Sequence, residues 1–274
     1  MADKLPVFAA IDVAPSEQLG DLEQMHTFAL VYAPSEEHMA QCVNAMYRTA
    51  NNKNFAIGQY RSKEKTRSYA KAVLASLENE ECRKWLRVFL ISHRAREIVA
   101  GEAVMLRTLQ LQDWCRVSGD RKWLSHLAGT DGSGAPFGAN DFAYGQGIMV
   151  VWMAFVLRLV WKLLDQEAKA SHRWHIVSDQ IAGDDVNVHP KALMFSGCLT
   201  WFDSDFTMQC AYDGKDTMAD LADTFAGIGK DCLENIGHPE WDAIRTTYLR
   251  NACLNWSFYK NPPWPDPQAA AQAV

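Results

Sequence analysis

The sequence predicts an α/β fold in which a mixed β-sheet is flanked by helices, and three features carry that reading. Two apolar runs near the start, Pro6 to Asp12 and Met25 to Ala33, are separated by a polar stretch, which is the pattern of an antiparallel pair joined by a loop. A later run, Trp174 to Asp179, follows an apolar helical stretch, the order expected of a parallel crossover. Between these lie amphipathic segments of helix length, so hairpin first and crossovers later imply a sheet with both strand senses.

Taken in order, the first strand ends on Asp12 and the second stops at Pro34, which cannot donate to a ladder. Ser35-Glu-Glu-His supplies an N-cap and acids in the first turn of a helix running to about Ala50. Phe55 to Tyr60 reads as a third strand. A helix with a charged face runs from Ser62 to about Glu78, and Trp85 to Ser92 is apolar, β-branched and aromatic, hence a strand. Glu97 to about Trp114 has helical spacing. Residues 129–147, from Gly129 to Gly147, are so rich in glycine and turn formers that they predict a mobile loop, a lid or a connection. Gly147 to Leu164 is apolar nearly all round but is broken by Arg158 and Lys162 short of the ~20 residues a bilayer core needs, so it predicts a buried helix and no membrane partner. Leu193 to Trp201 and Asp205 to Tyr212 are extended, Asp216 to Lys230 is a helix, and Trp241 to Cys253 is helical again. No Pro/Ser-rich linker divides the chain, so residues 1–260 are expected to form one domain with inserted helices, and residues 261–274 a Pro/Ala-rich tail without a packed element.

Composition excludes several classes. A 48% hydrophobic and 22% charged chain is neither disordered nor fibrous. A net charge of −6 argues against broad capture of nucleic acid, so any such partner must use a local basic groove. Seven scattered cysteines without a CxxC pair read as reduced thiols of a cytoplasmic protein, and the opening Met-Ala-Asp-Lys-Leu-Pro has no secretory character. Neither a phosphate loop ending in Gly-Lys-Ser/Thr nor a Gly-x-Ser-x-Gly elbow is present.

The chemistry-bearing pattern is a set of acids at element ends. In the helix from Asp216, the wheel places Leu221, Phe225, Ile228 and Cys232 on a core ridge beside a small face of Ala222, Ala226 and Gly229. Asp223 lies at the margin of that small face, with Asp220 and Asp216 expected progressively further out. Asp12 and Asp179 close two strands. Carboxylates on a rigid frame are what Mg²⁺ or Mn²⁺ ions ~4 Å apart require for phosphoryl chemistry, so Asp12, Asp179 and Asp223 are the candidate catalytic residues and metal ligands. Each alone is better explained as a turn residue or a solvated helix position, and it is their joint order along the chain that favours the site.

Phe8-Ala-Ala-Ile-Asp12, Phe28-Ala-Leu-Val, the basic helix at Ser62 to Leu77, Ile176-Val-Ser-Asp179 and Leu221-Ala-Asp-Thr-Phe-Ala-Gly227 together form a pattern that resembles domain of unknown function 3800, an RNase H-like family. The similarity spans roughly residues 6–235, and its late motif is the specific part. It implies an RNase H-like mixed sheet, a metal-dependent nuclease site at Asp12, Asp179 and Asp223, nucleic acid as substrate, and a setting in defence or mobile elements. Where the family pattern runs Asp-Glu-Ser-Gly, this chain has Asp12-Val-Ala-Pro15, and Phe55-Ala-Ile-Gly-Gln-Tyr-Arg61 lacks the acid of the second motif. Either the site is catalytically weak, or Glu17 or Glu102 completes the set, or the fold is an inactive scaffold serving as a binding or assembly subunit.

Weaker signals have simpler explanations. Glu97 and Glu102 follow a strand; Asp184 and Asp185 are turn residues; His172 and His175 would point to opposite sides of a strand. His93 with Arg94 and Arg96 reads as an exposed basic turn, or as a phosphate contact. Arg61 to Arg67, flanked by Tyr60 and Tyr69, is the candidate groove for a nucleic-acid strand. Trp264 in the tail is the candidate anchor for a protein partner or for self-association.

Overall fold

The computed structural model describes residues 7–15, 19, 21–51, 64–109, 144–163, 174–179, 206–211, 217–249 and 255–258. Three antiparallel strands come first among the strands: β1 (Val7–Ala14), β2 (Met25–Ala33) and β3 (Arg87–Arg94). Between β2 and β3 lie α1 (Glu36–Asn51), α2 (Glu64–Ser76) and α3 (Glu80–Trp85). After β3 come α4 (Ala95–Ala100), α5 (Glu102–Thr108) and α6 (Tyr144–Leu163), then β4 (Trp174–Asp179) and β5 (Phe206–Ala211). The chain continues through α7 (Thr217–Glu234), α8 (Pro239–Ala243), a π-helical turn (Ile244–Leu249) and β6 (Asn255–Phe258).

The sheet is mixed, with order β5-β4-β1-β2-β3-β6. β1 pairs antiparallel with β2 and parallel with β4, in the registers Ile11↔Leu30 and Ile11↔Ser178; β4 pairs parallel with β5, and β3 parallel with β6. The strands alternate in what they bury. Val7, Ala9, Ile11 and Val13, with Phe28, Leu30, Phe89 and Ile91, pack against α6 and the Met105–Leu106 turn of α5. Ala10, Ala14, Ala29 and Ala33, with Val31, Val88 and Leu90, pack on the other face against α7, α1 and α2. Alanines on that face meet Ala222 and Ala226 of the helix, and small residues on both sides let α7 lie close to the sheet.

α6 is the apolar stretch read as a buried helix: residues 147–157 are all buried. No helix among the described residues is long and apolar enough to cross a membrane. It starts earlier than the glycine-rich run suggested, since Tyr144, Gly145 and Gln146 are already helical and Gly147 is buried within the helix.

Three further corrections concern boundaries. Trp85 ends α3 rather than beginning a strand: Asn79 Oδ1 accepts the Glu81 N–H at 3.0 Å, acids open the helix, and Arg83 and Lys84 close it. The helical segment after β3 breaks at Gly101 into α4 and α5, with nothing described beyond Leu109. The helix expected over 241–253 is instead α8 and a π-helical turn, and Asn255–Phe258 returns to the sheet beside β3. The segments 55–60 and 193–201, most of 129–147 and the tail 261–274 lie outside the described residues.

Candidate functional site at the carboxyl end of β1

β1 has a strand on each side, so its backbone is fixed by two ladders before any side chain is considered. Asp12 falls in the alternation between Ala10 and Ala14, on the face covered by α7. It is 7% exposed, and its Oδ1 accepts the Val13 N–H at 2.7 Å. β4 runs parallel beside it in a register that ends at Ile11↔Ser178, so Asp12 and Asp179 each follow the last paired residue of their strand. Asp179 is itself paired with Ala211 of β5, where β4 and β5 end together.

α7 crosses this face. Ala219 packs on Val177 of β4, two residues before Asp179, and Leu221, Phe225, Ile228 and Cys232 are fully buried, as the wheel required. Asp223 is one turn on from Ala219 and is the only residue from 219 to 229 that is not buried. The opening along an otherwise enclosed helix is thus occupied by a carboxylate. Asp220, expected to point further out than Asp223, is more deeply placed at 7% exposure, and Asp231 is buried as well. The wheel missed this because it assumed one dry face; α1 and α8 cover the back of α7, so nearly its whole circumference is enclosed. Thr224 Oγ1 donates to the Asp220 carbonyl at 2.8 Å, a local bond that leaves that hydroxyl satisfied inside the helix. Asp12, Asp220 and Asp223 each engage an electrostatic or hydrogen-bonding neighbour.

Glu102 opens α5, whose Met105 and Leu106 belong to the layer on the α6 face, so the sheet separates that layer from α7. Glu97 accepts the Arg94 N–H at 2.6 Å and serves as a capping residue of α4. Among the described residues no three His, Cys, Asp or Glu side chains gather as a cation site. Glu17, His172, Asp184, Asp185 and Asp216 lie outside the described residues.

The basic turn after β3 differs from its sequence reading. His93 is 3% exposed and packs edge-on against Trp152, whose Nε1–H donates to His93 Nδ1 at 3.1 Å. Burial pushes its pKa down to about 4, so the ring is neutral. His26 stands opposite it across the β2–β3 ladder and is also buried. Arg94 and Arg96 both pair with Glu23, each at 2.6 Å, and Arg67 of the basic helix pairs with Glu240. These cations are tied to acids of the same chain. His175, half-buried on β4, has its ring against Phe8. Trp241 is core, as most tryptophans were expected to be.

The chain matches no protein-family model, and a search of curated proteins finds no match. The resemblance to domain of unknown function 3800 therefore rests on the residues quoted for it.

Proposed function

We propose that this chain is an RNase H-like, metal-dependent nuclease that hydrolyses phosphodiester bonds, with Asp12, Asp179 and Asp223 as its catalytic carboxylates. The observation that carries the reading is the juxtaposition at one sheet end. Asp12 and Asp179 each follow the last paired residues of two parallel inner strands, Ile11 and Ser178, and the one unburied position in the middle of α7 is Asp223. The antiparallel meander β1-β2-β3, extended on the other side of β1 by parallel β4 and β5, supports the RNase H-like assignment.

The donor set fits a hard divalent cation, since all three groups offer carboxylate oxygens and Asp12 is held on a strand fixed from both sides. Mg²⁺ or Mn²⁺ bound there would neutralise phosphoryl oxygens and acidify water for in-line attack at phosphorus. The residues would do the rest. Asp12, buried and accepting the Val13 N–H, would present a fixed carboxylate, and Asp223, partly exposed, would meet substrate arriving from solvent. The test is incubation with labelled single- and double-stranded DNA, RNA and an RNA–DNA hybrid in Mg²⁺ or Mn²⁺, beside Asp12→Asn and Asp223→Asn. Cleavage that EDTA and both substitutions abolish is the expected result; cleavage that the variants retain overturns the site.

A second reading is a scaffold without catalysis that binds or assembles with a partner. Val13 in place of the family's second acid, and the net charge of −6, favour it. It predicts no cleavage of any of the four substrates and an unchanged melting curve on adding Mg²⁺.

A further inference from the structure

Cys42, in the middle of α1, and Cys82, in the six-residue α3, are far apart in sequence and adjacent in space. Both are buried, at 0% and 1% exposure. Each thiol reaches the other's backbone neighbourhood: Cys82 Sγ–H donates to the Cys42 carbonyl at 3.7 Å, and Cys42 Sγ–H donates to the Glu81 carbonyl, one residue before Cys82, at 3.6 Å. The two thiols are thus close neighbours across the α1–α3 contact. That contact is asymmetric. The neighbouring Cys82 thiol lowers the Cys42 pKa below the ordinary thiol value, with Arg87 adding to the effect, whereas the nearness of Cys42, together with burial, raises the pKa of Cys82.

We infer that Cys42 and Cys82 form a thiol pair that closes into a disulfide under hydroperoxide, clasping α3 to α1. The Cys42 thiolate attacks the terminal peroxide oxygen, the O–O bond breaks, and the alcohol or water leaves with a proton, giving Cys42 sulfenic acid. Cys82, adjacent, then attacks that sulfur, its thiol proton joins the departing hydroxide as water, and the S–S bond forms. In sum two thiols and one hydroperoxide give a disulfide, an alcohol and water. The bond would span 40 residues of sequence, including α2, and tie down a helix that is otherwise held by one buried thiol, a half-buried Trp85 and its caps. Access for a small peroxide requires only local opening of α3, a short helix whose Glu80, Glu81, Arg83 and Lys84 face solvent.

The experiment is treatment of the native full-length protein with hydrogen peroxide, quenching by alkylation in denaturant, and non-reducing peptide mapping. Expected is a Cys42–Cys82 linked peptide, lost on adding dithiothreitol, in roughly tenfold excess over any other cysteine pairing, as selection by geometry requires. In Cys82→Ser, dimedone should trap sulfenic acid at Cys42, whereas the wild type yields the disulfide instead. Both thiols remaining free to alkylate, or a linkage that appears only when peroxide is added in denaturant, would overturn the inference. The wild-type map decides the matter whether or not the variant folds.

Discussion

Lowering the pH should cost this protein stability through one buried imidazole. His93 has a folded pKa of about 4 against an ordinary 6.5, because burial disfavours its charged form. Its Nδ1 already accepts the Trp152 N–H, so protonation there would also break that bond. The unfolded chain binds more protons than the folded one between these two values. The stabilisation from the neutral ring is therefore complete above about pH 6.5 and is lost as pH falls toward about 4. Integrating the two titrations gives a loss of about 2 kcal/mol between about pH 7.5 and pH 5, rising to about 3 kcal/mol at about pH 4. Urea denaturation of the wild type and of His93→Asn across this range is the assay. Asparagine keeps an acceptor near the Nδ1 position but does not titrate, so the variant should be less stable at neutral pH and should lose less on acidification. Buried carboxylates such as Asp220 and Asp231 contribute equally to both proteins and cancel in the difference. Parallel pH profiles for the two proteins, or a His93 ring signal titrating near its ordinary value by NMR, would refute the reasoning.

Other perturbations have equally direct outcomes. Phe225→Ala removes a fully buried ring from the α7 face and should lower unfolding free energy by about 3–5 kcal/mol, read from denaturant midpoints. Ala222→Leu forces bulk into the close contact between α7 and the alanine-lined sheet and should cost about 1–3 kcal/mol, with a matching fall in melting temperature. Glu23→Gln breaks two exposed ion pairs with Arg94 and Arg96 and should change stability by less than about 1 kcal/mol, an effect that salt diminishes further. If Asp12 ligates a cation, Mg²⁺ at about a hundredfold its dissociation constant should stabilise the wild type by about 2.7 kcal/mol and leave Asp12→Asn unmoved in the same calorimetric scan.

What the sequence disclosed followed from how far each signal is local. β1, β2 and β4 were legible because their apolar runs are short, dense and bounded by turn residues, and the late helix because its ridge of Leu221, Phe225, Ile228 and Cys232 keeps strict helical spacing. The signals for α3, an Asn79 cap followed by two acids and then two bases, were present but were overridden by the apolar run after them. Asp220 and His93 could not be read, since their burial is imposed by other elements: α1, distant in the chain, and α8 over α7, and Trp152 of α6 over the end of β3. β6 was hidden for the same reason, because Asn255-Trp-Ser-Phe258 is extended by pairing with β3 rather than by any preference of its own. For the candidate site, the strands that carry Asp12 and Asp179 were legible from their apolar runs, whereas the depth of each acid on α7 depended on a layer that helical spacing alone does not reveal.

The alanine-lined face of the meander has a consequence for synthesis. β1, β2 and β3 are complete by Arg94, but the helix that covers Ala10, Ala29 and Ala33 begins at Thr217. A chain leaving the ribosome at about 5–20 residues per second therefore carries the part of this surface that α1 and α2 do not cover for several seconds or longer before α7 emerges. Shallow alanines offer weaker purchase for misassociation than leucines in the same places would. The packing that lets α7 lie close in the finished protein thus also shields the nascent one.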